Sequence, residues 1–254
     1  MIDIPKLSIM RIVLFLFVIL LMSCTDLSTK KNETKIYSIN DLTGDWVNIK
    51  YLKSVQTSRS AKLSQESCEY NFVRFHNDTV LIILHFHEGI DLKLDSLDKN
   101  IFNARYNNDS IVFHIYNDTL LMNFEKTKDT FISYQMTVPR VLYSNRLLNR
   151  EIFSGIYNVI DSANKTITFS ENGDVSGFDK FKMYTVLDDY NDSGCNFDVI
   201  FLNNNPRDRS NEYTWTYSKD TLCIYDLDCV SFDSVSNYCY DNKIGKLIYK
   251  LKKQ

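Results

Sequence analysis

Ser110-Ile111-Val112-Phe113-His114-Ile115-Tyr116-Asn117-Asp118-Thr119-Leu120-Leu121-Met122-Asn123-Phe124-Glu125 is the stretch on which the fold class turns. Ile111, Phe113 and Ile115 recur at every second position, and Leu120, Met122 and Phe124 do so again after the pair Asn117-Asp118. Successive side chains of an extended strand point to opposite faces, so each triplet lines one face. Asn and Asp tolerate the left-handed backbone of a tight turn. The stretch predicts a hairpin with one buried face.

Outward from it, one small phrase recurs: an aspartate, a Ser or Thr, then an apolar residue opening a β-like run. It stands at Asp78-Thr79-Val80, Asp95-Ser96-Leu97, Asp109-Ser110-Ile111, Asp118-Thr119-Leu120, Asp129-Thr130-Phe131, Asp220-Thr221-Leu222 and Asp233-Ser234-Val235. Each reads as a turn handing over to a strand, since Thr and branched apolar residues favour the pleated conformation. Glu212 to Tyr217 alternates in the same way ahead of Lys219-Asp220. Helical spacing is confined to Lys53–Ser67, a polar connection, and to Val141–Arg150. The chain is predicted to be all-β.

A longer repeat encloses these phrases. Leu42-Thr43-Gly44-Asp45-Trp46 matches Phe153-Ser154-Gly155-Ile156-Tyr157 position by position: large apolar, hydroxyl, Gly, any residue, large aromatic. With 7 Gly in the chain, two in this frame point to a duplication. Each frame is followed by short strands and ends in a Tyr-bearing one, so two tandem antiparallel meanders of about 100 residues follow.

A glycine, one spacer and a large aromatic on the first strand, followed by an up-and-down meander, resembles the lipocalin-like domains of exported Bacteroidetes lipoproteins. The resemblance implies two small barrels with Trp46 and Tyr157 as the plugs of one end each. It also implies a basic partner from the last strand, for which Lys250 stands in the second half, whereas Gln135 occupies that place in the first. Small barrels either fill with side chains or hold one small ligand. The 16 Tyr and 16 Phe suit both outcomes.

Near the start, Leu21-Met22-Ser23-Cys24 closes an apolar run from Ile12 to Met22 and reads as a bacterial lipoprotein cleavage site. The run is about half the roughly 20 residues of a membrane-spanning helix, and Lys6 and Arg11 precede it as in an export signal. Lipid would be attached to the Cys24 thiol, tethering the body to a membrane face. The expected organisation is a signal peptide over 1–23, a flexible tether over 24–40, one β domain over 41–138, a linker over 139–151 and a second β domain over 152–254. Thr25-Asp26-Leu27-Ser28 lacks an acidic cluster of the kind that directs surface display, which favours an outer-membrane position facing the periplasm.

The net charge of −3 and the scarcity of basic clusters argue against a nucleic-acid partner. Beyond Cys24, Cys68, Cys195, Cys223, Cys229 and Cys239 remain. An oxidising envelope permits bridges among the last four, and four cysteines allow three pairings. An extended Cys223–Cys229 segment spans about 20 Å, beyond disulfide reach. Cys229 with Cys239, across what reads as a loop, is the favoured pair, with buried thiols throughout as the alternative.

Chemistry-bearing constellations are few. His85 and His87 share one face of a strand, and with His114 they form a candidate metal set, against which stands the reading of ordinary surface histidines. Asp189 to Gly194 opens like a calcium loop, but Ile200 stands where the bidentate acid belongs. Nucleophile elbows and phosphate-cradling loops are missing from the sequence, so no catalysis and no cofactor are expected. Thr79, Ser96, Ser110, Thr119, Ser162, Thr221 and Ser234 resemble acceptors of general O-glycosylation in Bacteroides and its relatives, although turn chemistry alone accounts for the same phrase. The expected function is an envelope-anchored, non-catalytic binding protein for a small apolar ligand or a glycan. The alternative is a scaffolding lipoprotein with filled barrels.

Overall fold

The computed structural model describes residues 35–84, 88–134, 143–162, 164–190, 195–205, 211–233 and 238–254. Cys24, His85, His87, Gln135 and Ser234, with residues 191–194 of the calcium-loop-like segment, lie outside the described residues. The chain divides into two units, Met1–Lys35 and Ile36–Gln254, and both barrels belong to the second. Among the described residues no helix is long and apolar enough to cross a membrane.

The first barrel comprises β1 (Gly44–Asn48), β2 (Tyr70–His76), β3 (Thr79–Leu84), β4 (Glu88–Asp98), β5 (Ile101–Tyr106), β6 (Asp109–Tyr116), β7 (Thr119–Phe124) and β8 (Thr127–Ser133). Neighbours in sequence pair antiparallel, and β8 returns to β1 with Trp46 opposite Ser133, closing the ring. The second half forms an eight-stranded sheet from β9 (Gly155–Val159), β10 (Thr166–Phe169), β11 (Val175–Ser176), β12 (Met183–Val186), β13 (Val199–Asn203), β14 (Glu212–Ser218), β15 (Thr221–Asp233) and β16 (Tyr238–Lys253). Its order is β11-β10-β9-β16-β15-β14-β13-β12. The two edges meet through a bridge between Asp174 and Met183 and the bond from the Tyr184 N–H to the Gly173 carbonyl, 2.7 Å. The protein is all-β, with two tandem eight-stranded barrel-like sheets.

Turn chemistry sets this meander. Asn117 and Asp118 both have positive φ, 46° and 58°, the backbone of a two-residue turn whose twist matches its strands. Asn77, Asn107 and Lys219 hold φ of 53°, 55° and 53° at other turns. The hairpin from Asp109 to Phe124 buries Ile111, Phe113, Ile115, Leu120 and Met122 in one core with Trp46, Phe75 and Phe102.

The duplicated frame is a structural unit. Gly44 and Gly155 have φ of 131° and 144°, a conformation L side chains rarely adopt. Trp46 Nε1 donates to the Leu42 carbonyl at 2.9 Å, and Tyr157 Oη to the Phe153 carbonyl at 2.7 Å. The first and last positions of each frame are thus tied together. A short helical turn leads into each: α1 (Ile39–Leu42) in the first and a π-helical turn, Asn149–Phe153, in the second.

Between β1 and β2 lie α2 (Ile49–Ser58) and α3 (Ala61–Gln65), within and just ahead of the Lys53–Ser67 segment whose spacing reads as helical. Asn48 caps α2 by accepting from the Lys50 N–H, and Ser60 caps α3 by accepting from the Leu63 N–H. Tyr51, Leu52 and Val55 lie on one face of α2 and are buried in the core of the second half, beside Phe153, Tyr157 and Trp215. Val47 and Phe72 join that core from the outer wall of the first barrel. The helix α4 (Tyr143–Leu148) adds Leu147 and Leu148, so the described part of the linker is packed. The ordered body also reaches back into the expected tether: buried Tyr37 donates its hydroxyl to Asp118 at 2.8 Å.

Two expectations are corrected: Asp95-Ser96-Leu97 and Asp129-Thr130-Phe131 lie inside β4 and β8, where ladder pairing and not a turn holds them, and the basic partner of the second frame is a different lysine. Lys253, not Lys250, is the basic partner of Tyr157. It lies opposite Tyr157 in the ladder, its Nζ sits 5.7 Å from the ring centroid, and that nitrogen donates to the Ser154 carbonyl at 2.8 Å. Lys250 pairs with Cys223 and is exposed. The outcome follows from register.

Candidate functional site

The two ends of the first barrel differ. At one end α1 and Trp46 close the opening, and Tyr37 ties the β4–β5 and β6–β7 turns through Asn100 and Asp118. The opposite end is formed by the start of β2, the start of β4, the end of β5 and the β7–β8 turn. A concavity of about 560 Å³ opens there, with Tyr70, Tyr106 and Phe124 as its aromatic walls and Asp91 and Glu125 at its edge.

Strand ends and turns place each of these groups. Tyr70 opens β2, and its ring centroid lies 5.8 Å from that of Phe124, the last residue of β7. Tyr106 closes β5 and meets Phe124 edge-on, 6.2 Å away at 88°. Tyr70 and Phe124 are each 4% exposed, whereas Tyr106 is 37% exposed and presents its ring to solvent. Glu125 follows Phe124 with φ of 51°, which turns the chain at the rim. Gly89 lines the same concavity, and a Cβ there would come within 2.9 Å of Leu81 Cδ1.

Among the described residues that line the concavity, the charged side chains are Asp91 and Glu125. Burial pushes the Tyr70 phenol well above its ordinary range, and the carboxylates of Glu69, Glu125 and Asp129 push it the same way. Tyr70 therefore keeps its proton and acts as a hydrogen-bond donor, not a base. Lys50 Nζ is held 3.1 Å from Asp129. The cleft offers the exposed Tyr106 ring beside two solvent-exposed carboxylates, which suits holding a ligand.

A second concavity, about 450 Å³, lies over the β5–β6 turn, with Leu97, Asn103, Arg105, Asn107 and Asp109 in its wall. The Ser110 hydroxyl donates there to Asn103 Oδ1. Of the other hydroxyls singled out in the sequence, Thr79, Ser96 and Ser162 are exposed, while Thr119 and Thr221 are half-buried at strand starts. Thr79 donates to the His76 carbonyl at 2.7 Å, as turn chemistry expects.

His114 sits half-buried on β6 opposite Leu121, with Ile101 across the other neighbour. Among the described residues no group of three or more His, Cys, Asp and Glu is arranged to hold a metal. Cys229 and Cys239 are joined by a disulfide, with their Cα atoms 5.8 Å apart. Burial pushes the Cys68 thiol up to about 12, leaving it protonated and unreactive. Trp46 and Tyr157, 4% and 0% exposed, sit in the two cores.

The aromatic cleft is not picked out by sequence reasoning, which counts Phe124 only as core. Its residues come from four separate strand ends, so no local spacing announces it. Family models, curated proteins and solved structures were compared with the chain, and none matches.

Proposed function

We propose that this protein is a lipid-anchored, non-catalytic envelope protein that binds a small ligand at the mouth of its first barrel. The supporting observation is the cleft of Tyr70, Tyr106 and Phe124, opposite the end closed by Trp46. Barrel mouths are a preferred place for ligands, because the strands hold the walls rigid while the turns vary. The barrel interior itself is occupied by a continuous cluster that includes Phe75, Phe102, Phe113 and Phe131. Binding at the rim leaves that packing intact. Lipidation of Cys24 would hold the body on the outer membrane, facing the periplasm.

Two measurements test this. Cys24→Ala should move the protein from the membrane to the soluble fraction, and unchanged fractionation would overturn the anchor. Immobilised intact protein, screened against apolar dyes and glycans, should retain ligands that Tyr106→Ala, which removes the exposed aromatic wall of the cleft, no longer retains. If Tyr106→Ala binds every retained compound as well as the parent does, the cleft is not the site.

A scaffolding role draws support from a different element. Among the described residues, β15 beyond Asp226 and β16 before Lys250 pair only with each other, and this ribbon exposes Val230, Ile244 and Leu247. Cross-linking at Ile244 in intact cells would capture a partner protein if the ribbon is a contact surface.

A further inference from the structure

We infer that the outer part of the β15–β16 ribbon is a redox-gated element: the Cys229–Cys239 disulfide holds it as ordered sheet, and a dithiol that reduces this bond releases it while both barrels stay folded.

Leu222 and Ile224 on β15 and Leu251 on β16 belong to the core of the second half. Further out the ribbon leaves that core. Among the described residues, β15 after Asp226 and β16 before Lys250 have no ladder partner but each other, and residues 225–248 contribute nothing to either buried cluster. Cys229, Val230, Lys243, Ile244, Lys246 and Leu247 are exposed. A two-stranded hairpin without a packed face is marginal in water. This one is weakened again by register shifts on either side of Tyr225 and of Ser231, each of which interrupts regular pairing.

The disulfide supplies what pairing lacks. It joins residues with a sequence separation of 10. A cross-link of that span disfavours the open segment about a hundredfold, by removing chain entropy from it. The pairings that build both strands into the barrel-like sheet, Tyr213 opposite Asp226 and Lys253 opposite Tyr157 among them, lie on the inner side of the cross-linked segment. Loss of the bond therefore frees the outer ribbon and spares the sheet. Val230, Ile244 and Leu247 form an ordered apolar surface only in the oxidised protein.

Reduction proceeds by thiol–disulfide exchange. A thiolate of the dithiol attacks the exposed Cys229 Sγ, the bond to Cys239 breaks, and Cys239 leaves as a thiolate that takes up a proton. The second thiolate of the reductant then displaces Cys229 and closes the reductant's own disulfide, so that two electrons and two protons have passed to the protein as two thiols. Cys223, a free cysteine on the same strand, is about 20 Å from Cys229 along an extended chain and does not compete as the attacking thiol.

The test is limited trypsin digestion of the intact protein with peptide mass mapping, before and after reduction by dithiothreitol, and in the double variant Cys229→Ser with Cys239→Ser. Lys243 and Lys246 are exposed cleavage points inside the ribbon. Cleavage after them should be at least about tenfold faster in the reduced protein and in the double variant than in the oxidised parent. The emission of Trp46 and Trp215, each buried in one core, and the thermal midpoint should not change. A smaller acceleration would show that the ribbon holds without its cross-link, and would overturn the gating. Loss of the Trp signals at the same dithiol concentration would overturn it from the other side, because the bond would then support the barrels as well. Reduction of the parent needs no substitution, so a double variant that fails to fold leaves the comparison decisive.

Discussion

Trp46 and Tyr157 show how much one side chain can specify. Each closes a loop back to the carbonyl four residues earlier, and each needs the glycine two positions before it, whose φ exceeds 130°. At Gly155 the demand is doubled, since an added Cβ would stand 2.7 Å from Lys253 Cε. The frame was therefore legible in sequence, because a backbone rule and a hydrogen-bond rule both leave marks on residue type. The lysine partner was not, because choosing Lys253 over Lys250 requires the register of β16 against β9. Cys68 illustrates a property set wholly by surroundings. Burial raises its thiol to about 12 from an ordinary 9.0, so at pH 8 the thiolate is about a thousandfold scarcer than for a free cysteine. Iodoacetamide labelling followed by peptide mass mapping should therefore find Cys68 modified orders of magnitude more slowly than an unfolded control. Equal rates would show that the thiol is not held in that environment.

At the scale of elements, the hairpins were readable and the joints were not. Alternation from Ile111 to Phe124, with Asn-Asp at the turn, is a local signal and gave the strands directly. Helical spacing at Lys53–Ser67 marks part of α2 and α3, but not that Tyr51, Leu52 and Val55 are buried against Phe153, Tyr157 and Trp215 of the second half. Glu151 sits at this joint. It accepts from Gln56 Nε2 of α2 at 3.1 Å, from the Tyr134 hydroxyl beyond β8 at 3.0 Å and from Arg150 Nε at 3.1 Å. Burial alone would raise its pKa, but those three bonds together hold it below the ordinary 4.5. The folded protein thus binds this proton less readily than the unfolded chain does. The stabilisation is present in full above about pH 4.5 and is lost as pH falls through the lowered folded value. Glu151→Gln should cost about 1 kcal/mol at pH 7 and less at pH 3. Denaturant midpoints of parent and variant at both pH values check this, and an equal difference at the two would remove the charge from the account.

At the scale of the whole molecule, the duplication invites a picture of two independent barrels, which the packing opposes. The second half's core takes in Val47 and Phe72 from the outer wall of the first barrel as well as the buried face of α2. Polar bonds cross in parallel: Trp215 Nε1 donates to the Arg59 carbonyl at 3.0 Å, and Asp198 accepts from the Lys62 N–H at 2.9 Å. Burial raises the pKa of Asp198, partly offset by the donors around it, so its carboxylate depends on these partners for solvation. Asp198→Ala would leave the first N–H groups of α3 without that acceptor, at a cost of about 1–3 kcal/mol. The chain supplies its own reporters, because of its 2 Trp residues one is buried in each core. Trp215→Phe leaves Trp46 to report the first barrel, and Trp46→Phe leaves Trp215 to report the second. If the halves unfold as one cooperative body, both reporters should give coincident denaturation midpoints, and Asp198→Ala should lower the two by the same amount. Were Trp215 to report the shift while Trp46 did not, the shared core would be a contact between separately stable barrels, and the mouth cleft would then owe nothing to the second half for its rigidity.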